Sequence, residues 1–133
     1  MERKYVDVTV DGPVATITLA NPAKRNSLAL DVMLELTDVL SEIGDSDALG
    51  VILAAEGPVF SAGHNFGDMV GVELPDAQHL LRVCTNMMDL VQRIPQVVIA
   101  KVAALATAAG CQLVATCDMA IAAESAGFAL PGG

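Results

Sequence analysis

The stretch Lys101-Val-Ala-Ala-Leu-Ala-Thr-Ala-Ala-Gly-Cys-Gln-Leu-Val-Ala-Thr-Cys-Asp118 decides how this chain is read. It starts as an apolar run with the character of a buried strand. It then passes through a turn of very small residues and continues as a helix. Thr107, Ala108, Ala109 and Gly110 carry almost no bulk, so a ligand can lie directly against the backbone there. A helix starting near Ala108 leaves its first N–H groups without intrahelical partners and with partial positive charge. Such donors suit an anionic ligand, or an oxygen that gains negative charge during a reaction. The same residues also let a helix pack closely on a sheet, so alone they leave both readings open.

Outward from this stretch, strands and helices alternate. Tyr5–Val10 and Val14–Leu19 alternate apolar and polar residues around Asp11-Gly12-Pro13, which predicts a β-hairpin. Asn21-Pro22 ends it, and Lys24 and Arg25 sit in the loop that follows. Ser27 is the expected N-cap of an amphipathic helix from about Leu28 to Gly44. Its acidic stripe, Asp31, Glu35, Asp38, Glu42 and Asp45, reads as a solvated face. Leu49–Ala54 reads as a strand covered on both faces.

Next comes a second turn of small residues, Pro58-Val-Phe-Ser-Ala-Gly-His-Asn-Phe66. Residues 67–75 read as irregular. Asp76 is the expected cap of a helix reaching about Arg93, with Leu80, Cys84, Met87, Val91 and Ile94 as its apolar stripe and Pro95 as its stop. Met87 and Met88 are ordinary core residues or the lining of a flexible-chain pocket. Gln96–Val102, Asp118–Ala123 and Phe128–Leu130 complete the strands. The alternation predicts an α/β fold.

At 133 residues the chain has the length of a single domain. It is 53% hydrophobic and 3% aromatic, so the core is built from Ala, Val, Leu and Ile. A net charge of −9 argues against a nucleic-acid surface and requires any phosphate site to be local, with Lys24 and Arg25 as its candidates. Three cysteines without metal-like spacing, and no signal-peptide pattern, point to a reducing, cytoplasmic setting with no metal. No apolar run reaches membrane-spanning length, so no membrane partner is expected.

Four blocks, in order, resemble the crotonase (enoyl-CoA hydratase/isomerase) superfamily. Asn21-Pro-Ala-Lys-Arg-Asn-Ser-Leu28 matches N-P-x-x-x-N-A-[LM]. Phe60-Ser-Ala-Gly-His-Asn-Phe66 matches F-[SC]-A-G-x-D-[LI], with Asn65 replacing Asp. Ala104–Asp118 matches G-x-A-x-G-G-G-x-x-L-x-x-x-C-D, and Phe128-Ala-Leu-Pro131 matches the start of F-x-x-P-E. The Ala-Thr-Ala-Ala-Gly-Cys-Gln run is similar to the enoyl-CoA hydratase domain-containing branch.

The resemblance implies ββα units wound into a spiral. Residues 1–133 would form a single crotonase-like N-terminal core, without the C-terminal helical region of a chain about twice as long. It implies an acyl-CoA thioester as ligand, with coenzyme A as part of the substrate and no other cofactor. It also implies a homotrimer or hexamer for the full-length protein. The backbone N–H groups of His64 and Ala109 would form the oxyanion hole. Ser61, Ala62, Gly63, Asn65 and Gly110 would shape the cradle, with Lys24 and Arg25 beside the nucleotide.

Two departures bear on activity. Gln112 stands where the hydratases carry one catalytic glutamate, and Gly132 stands where they carry the other. Gln cannot accept a proton at neutral pH, and Gly has no side chain to do so. The expected function is thioester binding with hydration weak or absent. The alternative is an active CoA-thioester lyase (hydratase, isomerase or decarboxylase) whose acid and base come from elsewhere.

Overall fold

The computed structural model describes residues 3–64 and 71–129. The element order is β1 (Val6–Asp11), β2 (Val14–Leu19), a 3-10 turn (Pro22–Lys24), α1 (Leu30–Gly44), β3 (Gly50–Ala55), β4 (Val59–Ser61) and α2 (Leu74–Arg93). Then follow β5 (Val97–Val102), β6 (Leu105–Thr107), α3 (Ala109–Thr116), β7 (Met119–Ala122) and β8 (Gly127–Ala129). This is ββα three times over, followed by two strands of a fourth unit.

The strands sort into two sheets. One has the order β1-β2-β3-β5-β7, with β1 antiparallel to β2 and every other neighbour parallel. The other is β4-β6-β8, all parallel. After the first unit, each ββα unit thus gives its first strand to the larger sheet and its second to the smaller. This positions the site, because β4 and β6 end side by side and each runs into one of the two small-residue turns.

The core lies between one face of the large sheet and the helices. Ala15, Ile17 and Leu19 alternate inward on β2, Val51 and Leu53 on β3, and Val98, Ala100 and Val102 on β5. They join one buried cluster with Met33, Leu36 and Leu40 of α1 and Met87 and Val91 of α2. The opposite face of β3 is only half-buried, which corrects the expectation of a strand covered on both sides. All four residues of β7 are exposed, Ile121 at 63%. The Lys101 stretch also differs from its reading as one strand running into a helix. It breaks after Val102, changes sheets, and resumes as β6 before α3 begins at Ala109.

Two helix starts differ from expectation. α1 begins at Leu30 with Ala29 as N-cap, not at Leu28 after Ser27. The reason is tertiary: the Leu28 N–H donates to Gly63 O at 2.7 Å, which holds this segment against the second turn. α2 begins at Leu74 with Glu73 as N-cap and Pro75 in its first turn, where proline's missing N–H costs nothing.

The acidic stripe is solvated at Asp31, Asp38 and Glu42 but not at Glu35. Glu35 is 4% exposed, and its Oε1 accepts the N–H groups of Lys4, Tyr5 and Val6 at 2.6, 2.9 and 3.1 Å. A carboxylate meeting three backbone donors is well compensated for its burial. It ties the start of β1 to α1, and the exposed Arg3–Glu42 ion pair adds a second tie nearby.

Candidate functional site

The two small-residue turns meet. β4 and β6 pair in parallel with a register shift between Val59 and Ser61. Thr107 Oγ1 donates to Ala62 O at 3.4 Å. Glycine makes the closest contacts possible. A β-carbon on Gly110 would lie 2.7 Å from Ser61 Cβ and closer still to the Ser61 carbonyl oxygen. A β-carbon on Gly63, which has φ +82°, would lie 2.9 Å from the Ala109 nitrogen. Gly63 and Gly110 therefore let the Ala62–His64 turn lie directly against the first turn of α3.

That contact brings the His64 and Ala109 backbones to one place. Ala109 is the first residue of α3, so its N–H has no intrahelical acceptor. Among the described residues, neither the His64 nor the Ala109 N–H donates to a backbone carbonyl. Two such donors on adjoining turns can polarise one carbonyl oxygen and stabilise charge that develops on it.

Ala109 itself has helical backbone, so the alanine found where the resemblance has glycine costs nothing there. The strain falls one residue earlier. Ala108 sits at φ 52°, ψ −124°, the first-central-residue geometry of a II′ turn, which favours glycine. It is held there from both sides: its N–H donates to Ala129 O at 2.8 Å, and its own carbonyl accepts the Gln112 N–H at 3.0 Å. Ala108 and Ala109 both stand where the motif has glycine. Such strain costs about 1–3 kcal/mol, against roughly 0.5–1 kcal/mol for glycine's extra chain entropy. Ala108→Gly should therefore raise the unfolding free energy by about 1 kcal/mol. Equilibrium urea denaturation of the intact protein checks it, and a loss of stability would refute the strain.

The Lys24–Arg25 loop is tied to the same place by its backbone. Ala62 N–H donates to Arg25 O at 3.0 Å, and Ser61 Oγ donates to Asn26 O at 2.8 Å while accepting the Gly63 N–H at 3.2 Å. Asn26, 1% exposed, is the hub that the sequence reading missed. Its Oδ1 accepts the Asn21 N–H, and its Nδ2 donates to Glu56 O and Val59 O. Arg25 and Asn26 both adopt positive φ, which asparagine tolerates well. An asparagine closing a Pro-Ala-Lys-Arg loop was the available signal. Lys24 and Arg25 are exposed, and neither is in an ion pair among the described residues.

A cavity of about 540 Å³ opens beside the turns, between α2 and α3. His64, Cys84, Met88 and Gln112 line it together with Asp89 and Thr116. Met88 thus faces the cavity, while Met87 is fully buried in the core. His64 Nδ1 is buried with no partner among the described residues. Burial pushes the Cys84 thiol up from its ordinary range, so it stays protonated at neutral pH and is a poor nucleophile. Cys117 is pushed up to about 12, first by burial and then by the charge of Asp118. Asp118 is structural: its Oδ2 accepts the Val98 N–H at 2.8 Å and its own N–H donates to Val98 O, fastening the start of β7 to β5. Asn65 and Gly132 lie outside the described residues. No cluster that could hold a metal ion occurs among the described residues.

The Enoyl-CoA hydratase/isomerase family profile matches residues 9–133. The chain belongs to the enoyl-CoA hydratase/isomerase family. It is 41% identical over 121 residues to enoyl-CoA hydratase domain-containing protein 3, mitochondrial, of Rattus norvegicus, covering 90% of this chain and 40% of that one. It is 30% identical over 133 residues to a short-chain-enoyl-CoA hydratase of Clostridium acetobutylicum, covering 98% and 51%. The crystal structure of human enoyl-CoA hydratase domain-containing protein 3 superposes with a TM-score of 0.93 at 37% identity, over 97% of this chain and 52% of that one. An enoyl-CoA hydratase structure from Mycobacterium smegmatis gives 0.91 at 36%, over 95% and 50%. The chain thus spans roughly half of these relatives or less, and its two-sheet ββα arrangement is that of the crotonase fold. Among the described residues no helix is long and apolar enough to cross a membrane.

Proposed function

We propose that this enoyl-CoA hydratase/isomerase-family chain binds an acyl-CoA thioester and supports hydration only weakly. One observation supports the reading: the Ala62–His64 turn lies against the first turn of α3 through Gly63 and Gly110, with Gly63 in close contact with the Ala109 nitrogen. In this reading His64 N–H and Ala109 N–H hold the thioester oxygen. Ser61, Ala62, Gly63 and Gly110 set the backbone around them. Lys24 and Arg25 supply local positive charge for the nucleotide phosphates against a net charge of −9.

Weak hydration follows from the side chains. Gln112 lines the cavity where a hydratase would present a carboxylate. An amide can orient water but cannot take its proton, and a positioned acid or base typically contributes about 10²–10⁴-fold. Under the same proposal the intact protein assembles as a homotrimer or hexamer. Exposed Met119, Ile121 and Phe128 on β7 and β8 are apolar surface of the kind such assembly covers. Reduced cysteines fit the cytoplasm or another reducing compartment. The rat relative's name places that protein in mitochondria.

Calorimetric titration of the intact protein with butyryl-CoA, and separately with duplex DNA, tests the binding claim. Heat of binding is expected for the thioester and none for the nucleic acid. No heat with millimolar thioester would refute the proposal.

A further inference from the structure

Resting on the thioester reading above, we propose that the Ser61 and Thr107 hydroxyls are positioning groups that aim the His64 N–H at the thioester oxygen. A peptide unit is planar, with its N–H and C=O pointing in opposite directions, so fixing one end fixes the other. The His64 N–H shares its peptide unit with the Gly63 carbonyl, and that carbonyl accepts the Leu28 N–H at 2.7 Å. The Ala109 N–H shares its unit with the Ala108 carbonyl, which accepts the Gln112 N–H at 3.0 Å. Each donor is therefore the outer end of a peptide unit whose inner end is already bound. Binding at the carbonyl also polarises the unit and strengthens its N–H as a donor.

The two donors differ in what precedes them. Ala109 opens a helix, whereas His64 follows Gly63, the residue type with the greatest backbone freedom, here at φ +82°. Rotation at Gly63 would swing the His64 N–H away, so the peptide unit before Gly63 has to be held. Side chains hold it at both ends. The Gly63 N–H donates to Ser61 Oγ at 3.2 Å, and Ala62 O accepts from Thr107 Oγ1 at 3.4 Å. Ser61 is fully buried, and its own proton goes to Asn26 O at 2.8 Å, which leaves a lone pair for Gly63. Asn26 is fixed in turn, because its amide spans Asn21, Glu56 and Val59. With the Ala62 N–H on Arg25 O, every backbone N–H and C=O of Ala62 and Gly63 is engaged. Neither Ser61 nor Thr107 lines the cavity, so both act through the backbone and not on the ligand.

Titration of the intact protein with 2,4-hexadienoyl-CoA, and separately with free CoA, tests this. Donors that polarise the thioester oxygen move the absorbance of the conjugated dienoyl group to longer wavelength. Ser61→Ala should lose at least about half of the red shift at saturation and bind this ester about three- to tenfold more weakly, the range of one net hydrogen bond, with free CoA within about twofold of wild type. Thr107→Val keeps the side chain's shape at a half-buried position and should lose a smaller part of the shift. Thr37→Val is the control: it removes a hydroxyl bonded within α1, to Met33 O at 2.7 Å, and should keep both the shift and the affinity. An undiminished red shift in Ser61→Ala, or in Thr107→Val should Ser61→Ala fail to fold, overturns this inference and leaves the thioester reading intact. Equal losses of affinity for the ester and for free CoA do the same. Wild-type protein that binds the ester no tighter than free CoA and shows no red shift overturns both.

Discussion

Gly110→Ala is expected to destabilise the intact protein by about 2 kcal/mol and to weaken acyl-CoA binding by at least about tenfold. The added methyl would lie 2.7 Å from Ser61 Cβ and against the Ser61 carbonyl. Neither can yield easily. Ser61 is fully buried in β4, and its hydroxyl is engaged with Asn26 O and Gly63 N–H. Overpacking of this kind costs about 1–3 kcal/mol, more when the obstacle is backbone. Alanine's better helix propensity returns up to about 1 kcal/mol. The remaining strain pushes α3 away from β4 and separates the two donor turns. Gly50→Ala is the matched control: its methyl would meet only Val97 O at 3.8 Å, an ordinary contact, so its stability should stay within about 1 kcal/mol of the parent. Urea unfolding and thioester titration of both variants decide the matter. A Gly110→Ala protein as stable and as tight-binding as the Gly50→Ala control would show that the turns do not depend on that contact.

Restoring carboxylates should restore hydration. Wild-type protein is expected to show negligible turnover of crotonyl-CoA, and Gln112→Glu combined with Gly132→Glu should gain at least about tenfold. The gain should fall short of a native hydratase, because no surrounding hydrogen bonds are arranged to hold the new groups. Gln112 is exposed on α3 and lines the cavity beside His64, so a glutamate of the same shape enters without repacking. The Gly132 substitution rests on sequence alone, from its place after Pro131. Loss of the conjugated enoyl-thioester absorbance on the intact protein is the readout. Robust wild-type turnover would overturn the view that these replacements matter. A double variant that binds thioester normally and gains nothing would place the fault in the geometry of His64 and Ala109.

Much of this was legible in the one-dimensional pattern. Period-two alternation located β1 and β2, and apolar spacing located α1 and α2 within a few residues. The small residues from Thr107 to Gly110 and from Ser61 to Gly63 marked both turns, because bulk and backbone freedom are properties of single residues. Gln112 was read as standing in for a carboxylate only through the family motif, which its position in the sequence matches.

What depended on long-range contacts was not legible. Glu35 matched a solvated helical stripe, yet it is buried because the chain 30 residues earlier brings three N–H groups to it. Ser27 has the chemistry of an N-cap, but Leu28 is held by Gly63 and the helix starts later. The Lys101 stretch reads as one continuous element because its composition does not change where it leaves one sheet for the other. Ala108 shows the division most clearly. As a residue it reads only as small, and its positive φ arises because β6 and α3 are each fixed elsewhere and the chain must join them. By itself the sequence determined which segments become strands, helices and tight turns, since these follow from local periodicity and side-chain size. Only the tertiary structure decided which turns touch, which polar groups are compensated in the interior and where strain collects, since these follow from contacts between residues far apart in the chain.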